Sequence, residues 1–312
     1  MMEFVRQAAG YLVLTFVISS MLNVGLTQKP SMILHHLRNF RFLIRMLIVN
    51  LIVVPTLMIF ALQLVPVATH YETGLIVFGV AAGAPFLIHL TKTSKRDLSL
   101  GATVLMILMV GTVLTMPLLL PILVEGVTVS PVQIVTPMLV QIILPMIIGM
   151  LLLQFAEPLT ARIQPVVAKI SNLALYALIA AILIGYSPSF LDPDIWVALG
   201  VGSAVLVLAF FVGFMMGDGQ DHLKDVGGLG TAQRGTASAM IVASSAFDDP
   251  RILVIITILN TFAIVFLILA ARWLSPNNRF SLLTPVAADP PERNPWDRDP
   301  WSRPQPSNEQ ET

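Results

Sequence analysis

The sequence contains no cysteine, which excludes disulfides, thiol catalysis and cysteine metal sites. Charge is scarce too: Asp, Glu, Lys and Arg make up 12% of the 312 residues, against the ~25% of a soluble globular domain. Neither sign is in excess, with 18 basic and 18 acidic residues, so nothing points to a nucleic-acid partner. Walker, GxSxG and HExxH motifs are missing, which removes the commonest signatures of nucleotide-driven transport and of serine or zinc hydrolysis. His35, His36, His70, His89 and His222 all fall near the ends of apolar runs, and no acidic residue occupies the middle of one. An intramembrane enzyme would need a nucleophile with a base, or a metal cluster, at depth. No enzyme, no metal site and no bound cofactor are expected.

What the chain has instead is apolar length. Apolar residues make up 56% of it, in long runs rather than the alternation of a membrane β-barrel. The expected fold is an all-α polytopic membrane protein, embedded in a lipid bilayer, with nine spans near 4–27, 42–65, 72–91, 98–124, 131–155, 164–187, 194–217, 226–247 and 251–274. The first run, Phe4 to Leu26, is too long for a signal-peptide core and is read as the first span. Lys and Arg set the orientation, because they accumulate on the cytoplasmic side. Lys29, Arg38, Arg41, Arg45, Lys92, Lys95, Arg96, Arg162, Lys169 and Lys224 fall in one set of loops. Arg6 and Arg251 fall in the other, together with Glu72, Glu125, Asp192, Asp194, Asp248 and Asp249. The N-terminus is therefore expected outside and the C-terminus in the cytoplasm of a cell-membrane protein. Residues 276–312, rich in proline and charge, read as a disordered cytoplasmic tail.

One span differs from the rest. Val226 to Phe247 carries Gly227, Gly228, Gly230 and Gly235, which weaken a helix, and Gln233 and Arg234 side by side in its middle. A charge at membrane depth is expensive and by default faces a cavity or a partner. Irregular backbone is tolerated there only when buried in protein or lining a cavity. We read this as a helix broken near Gly230 to Ala232 at a binding site; the alternative is a packing helix whose arginine snorkels or pairs internally. The third span breaks similarly at Gly83-Ala84-Pro85, where Pro85 cannot donate a helical hydrogen bond. Spans 1–4 correspond to spans 6–9 in reversed orientation. An inverted repeat with one interrupted helix per half marks a secondary transporter with a midplane site.

The segments SMLNVGLT, NLIVVP, AAGAP through RDLSLGATVLM, ILPMIIGMLL and GTAQRGTASAM follow one another in an order and spacing that resemble the bile acid:sodium symporter family, over about residues 10–275. The resemblance implies a core of spans 42–124 and 194–274 in which spans 3 and 8 cross at their breaks. It implies a panel of spans 4–27 and 131–187 that rocks against the core. It also implies sodium sites, and here the chain departs. Gln233 matches the family's glutamine and Asn50 replaces another, but Leu229 stands where sodium-coupled members carry glutamate. Leu87 and Ile88 replace a Ser-Asn pair, and Leu108 and Met109 fall at Ser/Thr ligand positions. Arg234 stands where many members have asparagine. Its fixed charge is expected either to act as a tethered cation or to hold the substrate's acid group through its planar fork.

The resulting expectation is a secondary active transporter of a small organic anion, working by alternating access with little sodium dependence. A channel or membrane sensor is the rival. The proton is the other candidate driving ion, with His89 a candidate relay. The candidate site comprises Gln233, Arg234, Asn50, Thr231, Thr236, Asn260 and Pro85. Asn260 belongs to a polar stripe with Thr257 and Thr261. Nothing in the pattern sets an oligomeric state.

Overall fold

The computed structural model describes residues 2–29, 39–124, 131–185 and 192–275. The expected tail at 276–312, with His35, His36, Arg38 and Glu125, lies outside them. The described residues form eleven helices and no sheet: α1 (Met2–Thr27), α2 (Phe40–Leu64), α3 (Thr69–Val80), α4 (Phe86–Thr93), α5 (Leu98–Leu123), α6 (Pro131–Phe155), α7 (Glu157–Gly185), α8 (Pro193–Met215), α9 (Asp221–Ala232), α10 (Thr236–Ala246) and α11 (Arg251–Leu274). Seven of these, α1, α2, α5, α6, α7, α8 and α11, are long and apolar enough to cross a membrane. The other four form two consecutive pairs, α3–α4 and α9–α10, and these are the two spans expected to break. The chain is a polytopic all-α membrane protein.

Local chemistry explains where the helices begin. Asp97 caps α5 by accepting from the Ser99 and Leu100 N–H groups, and Asp192 caps α8 by accepting from Asp194 N–H. The α7 helix starts at Glu157, seven residues before the expected 164, because Pro158 falls in a first turn whose N–H groups need no intrahelical partner. The α2 and α6 helices each contain one wide turn, Val49–Val53 and Leu139–Ile143, just upstream of Pro55 and Pro145. In α2 the Val54 N–H reaches back five residues to the Val49 carbonyl. The Asn50 carbonyl, its regular acceptor, is thereby released.

The second break is not where the glycines are densest. Gly227, Gly228 and Gly230 all stay helical, and the interruption lies at Gln233–Gly235, just beyond the expected Gly230 to Ala232. The glycines serve packing: the α8 and α9 backbones press together at Gly213 and Gly227, where an added Cβ would strike the opposite carbonyl. Gly228 lies against Phe210 of α8.

The helices pack in two groups. The α1 helix lies along α6 and α7, while α2–α5 pack with α8–α11. Within the second group the order long helix, broken pair, long helix occurs twice, as α2, α3–α4, α5 and as α8, α9–α10, α11. At one end, Lys29 pairs with Glu157 at 3.0 Å, Arg45 pairs with Asp218, and Arg96 pairs with the fully buried Asp225 at 2.7 Å. At the other end the Tyr71 hydroxyl donates to Asp192 at 3.1 Å.

Candidate ligand site at the helix crossing

The two breaks meet. Residues 81–85 and 233–235 run past each other in antiparallel directions, with Ala82 paired to Arg234 in a single bridge and the Gly235 N–H donating to the Ala81 carbonyl at 3.0 Å. Gly83 takes a φ of +74°, a conformation that favours glycine, and an added Cβ would lie 2.7 Å from the Met109 nitrogen. Thr112 of α5 fixes the first break from behind. Its hydroxyl accepts from the Ala82 N–H at 2.8 Å and donates to the Ala82 carbonyl at 3.0 Å.

Arg234 is fully buried at this crossing. Its Nε–H donates to the Phe78 carbonyl, Nη1 to the Asn50 amide oxygen and the Thr231 carbonyl, and Nη2 to the Asn50 and Gly79 carbonyls. These five bonds engage every donor a guanidinium has. Phe78 and Gly79 end α3 and Thr231 ends α9, so the charge lies against two helix C-termini, which favour a cation. The Asn50 carbonyl is the one that the wide turn of α2 sets free. Asn50 Nδ2 in turn donates to the Met46 carbonyl at 3.0 Å and to the Thr231 hydroxyl at 3.2 Å. Every acceptor is a neutral oxygen, and among the described residues no carboxylate pairs with the guanidinium.

On the other side of the crossing lies a cavity of about 920 Å³ between the two helix groups, running from Gln233 to Lys92 and Thr27 at the basic end. Gln233, Thr236, Asn260 and Pro85 line it; Arg234, Asn50 and Thr231 do not. The seven candidate residues thus come together as two layers, a closed cage and a cavity wall. Gln233 is 1% exposed, and its Oε1 has no hydrogen-bond partner among the described residues. Thr236 donates to the Asn260 amide oxygen at 2.5 Å. Both helix starts that follow the breaks, Phe86 of α4 and Thr236 of α10, border the cavity.

Around these residues the other expectations divide. Thr257 and Thr261 donate to the Leu253 and Thr257 carbonyls of their own helix, and Thr261 also borders the cavity. His89 lines it as well, against the Phe86 ring at 5.2 Å. Leu87, Leu108, Met109 and Leu229 are buried and supply no side-chain oxygen. Two features escaped the sequence reading. One is the Thr112 clamp. The other is the polar wall opposite the crossing, Ser20, Asn23 and Thr27 on α1 with Ser171 and Asn172 on α7; the i, i+3, i+7 spacing on α1 was the available signal.

Among curated proteins no match to the chain is found. The model of the sodium bile acid symporter family matches residues 13–192, more than half of the chain and all of α1 to α7 except the first residues of α1. The second break and Arg234 lie beyond the matched stretch. The chain belongs to the sodium bile acid symporter family.

Proposed function

We propose that the protein carries a small organic anion across the membrane by alternating access, with α1, α6 and α7 moving against the remaining helices. Arg234 serves as a built-in cation, so sodium is not required. The observation that carries this reading is the guanidinium cage. Five neutral oxygens, four of them backbone carbonyls, converge on one positive charge between two helix C-termini. Such a set of hard oxygen donors suits a metal cation equally well, and here the side chain fills it. With all five donors committed, the fork has none left for a substrate acid group, which favours the tethered cation over the substrate clamp.

The substrate belongs on the cavity side. The starts of α4 and α10 place partial positive charge against the cavity, the Gln233 amide supplies hydrogen bonding, and Lys92 at the basic end favours approach of an anion. The basic end faces the cytoplasm in this reading, by the Lys and Arg bias of the loops.

Purified protein in proteoliposomes tests it. Uptake of organic carboxylates and sulfonates should change less than twofold when choline replaces sodium, and Arg234→Ala should abolish it. Steep sodium stimulation of the unmodified protein, with Arg234→Ala fully active, would refute the reading.

A further inference from the structure

We infer that the protein is an exchanger: the core reorients with an anion bound and is held back when empty, so one organic anion enters as another leaves. The inference rests on Arg234 acting as the built-in cation.

Consider first what a fixed cation does to a coupled cycle. In cation-coupled transport the cation departs with the substrate, and the core then returns without either. Coupling also requires that a core holding the cation alone stays put; otherwise the cation leaks. Arg234 cannot depart. Without substrate, this core therefore always carries the cation's charge alone.

The charges around the crossing say the same in physical terms. The acceptors of the guanidinium are neutral, and Leu87, Leu108 and Leu229 nearby are apolar and buried. The buried acid of α9, Asp225, lies toward the basic end and pairs with Arg96. Among the described residues, then, no full negative charge at the crossing balances the guanidinium; the two helix C-termini offset it with partial charge alone. An anion that reaches the starts of α4 and α10 balances the charge. The occupied core is close to neutral, and the empty one is not. An uncompensated charge moves poorly against apolar surroundings, so reorientation favours the occupied core.

The test uses the full chain in proteoliposomes, with radiolabelled taurocholate and radiolabelled pantothenate as probes. Each is offered to vesicles holding the same unlabelled anion or none, without sodium on either side. The expected result is initial uptake at least tenfold faster into loaded vesicles, unchanged by an imposed membrane potential, because one-for-one exchange moves no net charge. A second arm changes the charge with a side chain of the same size, its folding checked by thermal unfolding: Asn50→Asp, which sets a carboxylate beside Arg234, should bring the loaded and empty rates within threefold of each other. Sodium-free uptake equally fast into empty and loaded vesicles overturns the exchange inference alone. Uptake into empty vesicles that requires sodium overturns both it and the sodium-independent reading.

Discussion

Asn50 meets Arg234 twice, through its side-chain oxygen at 2.9 Å and its own carbonyl at 3.2 Å. Only the first contact depends on the side chain. Asn50→Leu therefore strands one guanidinium N–H and removes the bonds to Met46 and Thr231, while the carbonyl contact persists. The expected loss of stability is ~1–3 kcal/mol, the cost of leaving a buried polar group unsatisfied. Thermal unfolding of the purified protein in detergent measures it, and no change would mean that the cage is looser than its geometry.

Thr112 holds the first break by two hydrogen bonds to one residue, Ala82. Thr112→Val keeps the shape and loses both, which should cost about 2 kcal/mol. Thr112→Ser keeps the hydroxyl and should recover most of it. If serine and valine behave alike in thermal unfolding, the clamp is only a packing contact.

Gly83→Ala should destabilise by at least ~1–2 kcal/mol from the left-handed conformation alone, with the close approach to Met109 adding to it. Gly10→Ala provides the control, because an added Cβ there meets nothing within 4 Å. It should be neutral or slightly stabilising, as expected for alanine in a helix. Equal melting temperatures for the two variants would contradict the geometry at the crossing.

Arg96 and Asp225 link the loop after α4 to the start of α9, at 16% and 0% side-chain exposure. Arg96→Met removes a charged partner of a buried carboxylate and should cost about 3 kcal/mol. Adding Asp225→Leu should restore much of the loss, since the desolvated charge disappears with it. A double variant no more stable than the single one would contradict this account.

The absence of cysteine makes orientation testable directly. Lys95→Cys should react with a membrane-impermeant maleimide only from the cytoplasmic side, and Asp194→Cys only from outside. Both positions are exposed. Reversed labelling of the pair would invert the orientation.

How legible this was depended on whether the cause was local. Pro85 lacks an N–H whatever surrounds it, so the first break could be read from the chain. The second was misplaced because Gly227, Gly228 and Gly230 look like breakers only until Gly213, Phe210 and, at Gly230, Leu87 and Val104 are known to lie against them. What ends α9 is the backbone pairing of Arg234 with Ala82, a contact between distant parts of the chain. Arg234 stood out because charge at membrane depth is rare, yet its surroundings could not be read: four of its five acceptors are backbone carbonyls, which leave no trace in side-chain identity. Thr112 and Ser20 were missed for a similar reason, since hydroxyls are common in apolar helices and usually bond their own turn.

The wide turn at Val49–Val53 also sets the rotational phase of α2. One residue more than a regular turn displaces everything after it by about 100° around the helix axis, given 3.6 residues per turn. Asn50 can therefore face Arg234 while Met58, beyond Pro55, still turns inward against Gly79. Removing one residue within the turn would restore a regular helix and force a choice between the two. Either the cage would lose its carbonyl, or Met58 would swing off the first broken helix. A single-residue deletion here should thus harm the protein more than most substitutions at the same positions, because it changes the aim of half a helix at once.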